Sequence, residues 1–102
     1  MVVAIEKVVG YTRDMDLERF ERSIAILEAV SFNFVVIGEA ANHVPEEVTA
    51  SHPEIDWHQM RGMRNRLVHE YFGADTSIVW QTAREDLPEA LPHLKQMLEL
   101  ER

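Results

Sequence analysis

Apolar residues recur at intervals of three and four along nearly the whole chain, the pattern of helices packed by one face. Val3, Ile5, Val8 and Val9 predict a first helix from Val2 to about Tyr11. "RDMDLERFER" then reads as a short turn or helical connector starting near Asp16. The longest pattern runs from Ser23 to about His43, where Leu27, Val30, Phe34, Ile37, Ala41 and Val44 form one stripe. Ile26, Phe32, Val35 and Val36 lie off that stripe, so this helix needs a second surface to bury against. It is either the central helix wrapped by its neighbours or an interface with a second copy. The interface is the reading taken forward, with Gly38, Ala40 and Ala41 permitting close helix approach. Pro45 and Pro53 break the pattern, and Asp56 is placed to cap a helix from about Trp57 to Phe72 that stops at Gly73. Asp75 is placed to cap the last helix. Within it Pro88 and Pro92 each remove a backbone donor, which requires a kink or restart near Asp86. Beyond the kink Leu87, Leu91, Leu94 and Leu98 make a core stripe. No Asn-Gly or Asp-Gly turn between alternating apolar runs occurs. The expectation is an all-α, up-and-down bundle of four main helices plus a short connecting helix, one domain over residues 1–102, dimeric.

Composition changes this picture in two places. With 102 residues, 46% of them hydrophobic, the chain supports a modest core. It has no cysteine, so disulfides and thiolate metal sites are excluded, in keeping with a reducing cytosol. Glu6 and Lys7 interrupt the N-terminal apolar stretch, which lacks a basic lead-in and a cleavage site and does not read as a signal peptide. No uninterrupted apolar run of bilayer length is apparent, so no membrane partner is expected and the location is cytoplasmic. The second change is charge. A net charge of −8 argues against a non-specific nucleic-acid binder. Yet between Trp57 and Tyr71 stand Arg61, Arg64 and Arg66 against Glu70 alone, a local balance of +2.

That basic island, "RGMRNRLVHEYFG", divides cleanly when wound as a helix. Met60, Met63 and Leu67 take one side; Asn65 and His69 point away from it, one turn apart, with Arg61 beside them. Arg64 and Tyr71 share a flank. These groups suit metal-free cleavage of a phosphodiester. Histidine moves protons near neutral pH, arginine offers a planar fork of donors to phosphate, and asparagine can hold either in place. Two such helices meeting across a dimer would form one groove carrying two copies of the set. Each residue also has a structural reading: Arg64 in an ion pair, Asn65 in a hydrogen bond between helices, His69 as a buried histidine, Tyr71 as a boundary aromatic. Glu39 and Glu70 read as surface or boundary carboxylates. The five histidines, His43, His52, His58, His69 and His93, show no HExxH or Glu-x-x-His arrangement, so neither metal nor cofactor is expected.

The segment "RNRLVHEY" fits Arg-x4-His-x-Tyr with asparagine after the arginine, and so resembles HEPN-domain ribonucleases, more closely HepT-like toxins. "VVIGEAANHVPEEV" upstream and "DTSIVWQTAREDLPEALPHLKQML" downstream extend the resemblance over essentially the whole chain. It implies a dimeric helical toxin that cleaves RNA without metal. By position, Arg64 and His69 are then the catalytic pair and Asn65 supports them, with Arg61 and Arg66 adding to the RNA-binding island. It also implies a type VII-like toxin–antitoxin system. There the partner is an MNT-type nucleotidyltransferase antitoxin that transfers AMP to the motif tyrosine, here Tyr71. Family members usually carry several residues before the first helix, so a shortened helix or a misassigned start is expected. A non-catalytic helical adaptor that binds a nucleotidyltransferase or its nucleotide is the alternative.

Overall fold

The computed structural model describes residues 1–65 and 76–100. Helix α1 spans Val2–Thr12 and buries Ala4, Ile5, Val8 and Thr12 along one face. The buried Thr12 hydroxyl donates to the Val8 carbonyl at 2.9 Å, so its polarity is satisfied within the helix. Asp16 caps α2 (Leu17–Arg22), accepting from the Arg19 N–H at 2.8 Å. Helix α3 (Ile24–Asn42) buries Leu27, Val30, Phe34, Ile37 and Ala41, the stripe expected from its spacing, together with Asn33 and Gly38. Asn33 donates to the Ala29 carbonyl at 2.8 Å.

The segment after α3 holds a helix that periodicity does not reveal, α4 (Glu46–Ser51). Pro45 stands at its N-cap with φ −59° and two glutamates occupy its first turn. The residue that breaks α3 therefore starts α4, because proline fixes a helical φ and acidic side chains suit the positive helix end. The expectation of a single short connecting helix is corrected to two, α2 and α4. Helix α5 (Trp57–Arg61) follows, then α6 (Thr76–Gln81), which runs through a π-helical segment, Thr82–Asp86, into α7 (Leu87–Leu100). The described residues contain no strand.

Helix α1 lies against α3 on one side and against the π segment and α7 on the other. Helix α3 also packs on α2 and α5, and α2 reaches α6, where the Phe20 and Trp80 rings meet at 5.2 Å between centroids. By length and composition α3 could cross a bilayer, although Glu28 and Glu39 interrupt its apolar run. Here its stripe is the centre of the core, with Val30, Phe34 and Ile37 fully buried.

Of the two prolines of the last helix, Pro88 follows a widened turn, while Pro92 lies inside the α-helix. The Leu87 N–H donates to the Thr82 carbonyl, five residues back. Pro88 has no N–H to offer the Arg84 carbonyl, so the wider register falls where the ordinary ladder is already interrupted. Arg84 itself reaches the end of α1, donating to the Thr12 hydroxyl at 3.3 Å and to the Val9 carbonyl at 3.5 Å. A cation there meets the negative end of the helix. Helix α7 buries Leu87, Ala90, Leu94 and Met97. The leucine stripe is thus corrected at two places: Leu91 is only half-buried and Leu98 is 50% exposed. Both registers fit one helical face, and the small Ala90 and flexible Met97 fill the inward one.

The two leucines report this register directly. Leu94→Ala is expected to destabilise the fold by about 2–5 kcal/mol, while Leu98→Ala stays within about 1 kcal/mol, both read from urea denaturation. Equal losses at the two positions would contradict the packing.

Candidate functional site

The helix that carries the basic island is positioned from its first residue. The Asp56 carboxylate accepts from the Gln59 N–H at 3.0 Å and starts α5. Buried Trp57 then locks it, its indole N–H donating to the His52 carbonyl at 3.0 Å. At Gly62 the helix gives way to a turn, although its φ of −79° is still right-handed and its N–H still donates to the His58 carbonyl at 3.0 Å, and residues 63–65 are helical. The unbroken helix expected from Trp57 is therefore interrupted. Its core side nevertheless holds: Met60 and Met63 are both fully buried. Arg64 and Asn65 consequently face solvent.

What sets the height of this face is Gly38. A β-carbon there would lie 3.1 Å from the Arg64 backbone nitrogen, 3.4 Å from its β-carbon and 3.5 Å from the Arg61 carbonyl. Helix α3 thus sits directly against the backbone of the island. Gly38 and the fully buried Ala41 serve a contact inside the chain, not the inter-copy approach read from the sequence.

The side chains follow. Arg64 Nη1 donates to Glu39 Oε1 at 2.7 Å, in a pair whose side chains are 62% and 46% exposed. Half-buried Arg61 turns its Nε toward the Ala41 carbonyl at 3.5 Å, near the C-terminal end of α3, where the last carbonyls lack helical partners. His43 Nδ1 lies 2.7 Å from the Glu39 carbonyl. The structure therefore brings Arg61 and Arg64 to the last turns of α3, with Asn65 exposed next to Arg64 in the chain. Glu39 is the site residue that sequence reasoning passed over as a boundary carboxylate. Arg66, His69 and Tyr71, with the helix stop at Gly73 and the cap at Asp75, lie outside the described residues.

A separate cavity of about 230 Å³ lies between α5, the π segment and α7, lined by Glu54, Asp56, Gln59, Asp86, Glu89 and His93 among others. Gln59 spans it to Asp86 at 2.7 Å. Glu54 titrates below the usual carboxylate range, chiefly through a hydrogen bond with its own backbone and further through His52. A hollow lined by four carboxylates repels phosphate and does not extend the arginine-bearing face. Among the described residues no three His, Asp or Glu side chains are grouped to hold a metal ion.

The described residues form an all-α bundle that exposes Arg64 and Asn65, with Arg64 paired to Glu39 near the end of the central helix. The family described as "Ribonuclease HepT-like" matches residues 1–97, and this chain belongs to it. It is 35% identical over 94 residues to "Putative RNase MJ0125" of Methanocaldococcus jannaschii, covering 92% of this chain and 81% of that protein. It is 37% identical over 89 residues to "Probable ribonuclease HepT" of Thermococcus cleftensis, covering 83% and 77%. A third relative, "Putative RNase TTE0752" of Caldanaerobacter subterraneus subsp. tengcongensis, is 33% identical over 98 residues, covering 96% and 84%. No solved structure matches the chain at a significant level.

The glycine contact has a measurable counterpart. Gly38→Val is expected to cost about 1–3 kcal/mol, because its branched side chain meets backbone and cannot turn aside. Gly10 has nothing within 4 Å of its β-position, so Gly10→Ala should stabilise α1 by about 0.5–1 kcal/mol. A neutral Gly38→Val in chemical denaturation would mean that α3 does not lie against the Arg64 backbone.

Proposed function

We propose that this chain is a metal-independent endoribonuclease, the toxin of a type VII-like toxin–antitoxin pair. The observation that carries the reading is the motif Arg64-x4-His69-x-Tyr71 in a HepT-like chain, with Arg64 exposed beside α3 and Asn65 exposed next to it in the chain. In the proposed reaction the ribose 2′-oxygen attacks the adjacent phosphorus. His69 moves the proton released from that hydroxyl, and the 5′-oxygen departs with a proton. The O2′–P bond forms as the P–O5′ bond breaks, leaving a 2′,3′-cyclic phosphate and a 5′-hydroxyl. Arg64 stabilises the charge that builds on the phosphate oxygens, and Asn65 orients the imidazole or the phosphate. These steps require proton transfer and charge stabilisation, both within reach of the motif side chains. Arg61 and Arg66 add positive charge to the groove.

The outer face of α3 supports a homodimer. Ile24 is 67% exposed, Phe32 61% and Val36 36%, and one turn beyond Val36 stands Glu39 at the edge of the site. Exposed Glu28 interrupts this row between Ile24 and Phe32, so its apolar part is Phe32 and Val36. Burying that pair against a second copy would bring two copies of the arginine face into one groove. The antitoxin in this reading is an MNT-type nucleotidyltransferase. The Tyr71 phenol attacks the α-phosphate of ATP, pyrophosphate leaves, and the AMP ester places bulk and negative charge where RNA lies. RNA as substrate places the protein in the cytoplasm. With a net charge of −8, RNA affinity comes from the local island alone and falls steeply with salt.

His69→Ala is expected to reduce RNA cleavage by about 10²–10⁴-fold, while light scattering still reports a dimer. Full activity in that variant would remove the ribonuclease mechanism, and a wild-type protein that cleaves no RNA would favour the adaptor. Intact mass of the protein purified with the transferase should show AMP additions that Tyr71→Phe eliminates. Replacing Phe32 and Val36 together by glutamate should yield inactive monomers; dimers surviving that change would move the interface elsewhere.

A further inference from the structure

We infer that Glu39 is a positioning residue that aims the Arg64 guanidinium at the scissile phosphate, an inference that rests on the ribonuclease reading. Three features converge on it. The carboxylate accepts from Arg64 Nη1 at 2.7 Å. It is carried by a 19-residue helix whose inward face is core, so its origin is rigid. And its neighbour Gly38 holds the Arg64 backbone in direct contact with that helix. The backbones of residues 38 and 64 are therefore fixed relative to one another, and the ion pair closes a short loop between them through the two side chains.

A free arginine side chain carries about 2 kcal/mol of rotamer entropy, which a phosphate would have to restrain on binding. The bond to Glu39 restrains it beforehand. It uses one of the five guanidinium donors, leaving the rest of the planar fork for phosphate oxygens. As a source of stability the pair counts for little, because both side chains are about half exposed and such pairs contribute about 0–1 kcal/mol. As a source of affinity it is unfavourable, because a carboxylate beside the site repels a polyanion. The contribution of Glu39 is then geometric: it costs RNA binding and favours turnover. A surface ion pair without this role would still repel RNA but would leave kcat unchanged.

Two substitutions separate the charge from the aim. Glu39→Gln keeps an acceptor oxygen and removes the charge; Glu39→Ala removes both. With a mixed-sequence single-stranded RNA as substrate, Glu39→Ala should lower kcat by about tenfold and lower KM as well. Glu39→Gln should lower KM similarly but restore kcat to within about threefold of wild type. Thermal stability should be unchanged in both. Equal kcat in wild type and Glu39→Ala, or loss of kcat that tracks loss of folding, would overturn the role. Arg64→Ala serves as the reference: if wild type cleaves RNA and Arg64→Ala cleaves equally well, the ribonuclease reading fails instead. The aim itself is read separately from the Arg64 Nε–Hε resonance. Its restricted motion in wild type and Glu39→Gln should be lost in Glu39→Ala; restriction unchanged in Glu39→Ala would overturn the inference.

Discussion

Everything at the candidate site depends on how closely α3 approaches the backbone of Arg64. A single missing β-carbon, at Gly38, allows that approach, and the burial of Met60 and Met63 anchors the same segment in the core. Once the contact is made, much else follows without further adjustment. Glu39 falls within hydrogen-bond distance of Arg64, and Arg61 reaches the Ala41 carbonyl near the end of α3. Asn65 is left in solvent. A core packed this tightly transmits small displacements, so an added atom between these two segments would be felt at the guanidinium.

The electrostatics run in opposite directions at two scales. The chain as a whole is acidic, which keeps RNA from binding indiscriminately across its surface. The acidic hollow lined by Glu54, Asp56, Asp86 and Glu89 belongs to that background. Against it, the island from Arg61 to Arg66 is a local reversal, and its cations differ in availability. Arg61 is half-buried on a carbonyl, whereas Arg64 is exposed with most of its donors uncommitted by the bond to Glu39. A polyanion therefore meets a narrow target, and the proposed AMP ester on Tyr71 would need to neutralise only that target.

Periodicity made most of the fold legible. The α3 stripe from Leu27 to Ala41, the capping role of Asp56, and the inward-facing Met60 and Met63 all follow from residue type and spacing. Short elements were less legible. Helix α4 is announced by a proline that reads equally as a breaker, and the turn at Gly62 has no counterpart in the apolar pattern. In α7 two registers fit the same spacing, and packing against the rest of the bundle, not sequence, selects Ala90 and Met97 over Leu98. At the site, the chemistry of Arg64 and Asn65 could be read from their neighbours in the chain. Glu39 could not, since a partner 25 residues away is a product of the fold. The same holds for Gly38, whose small size reads equally as contact between copies or within one.

The central claim is that the motif side chains cleave RNA by themselves. Incubating the purified wild-type protein with RNA in excess EDTA, and identifying the product ends by mass spectrometry, tests it most directly. The account predicts cleavage undiminished by the chelator, with 2′,3′-cyclic phosphate and 5′-hydroxyl ends. Cleavage that stops in EDTA and returns with a divalent cation, or products ending in 5′-phosphate, would contradict it.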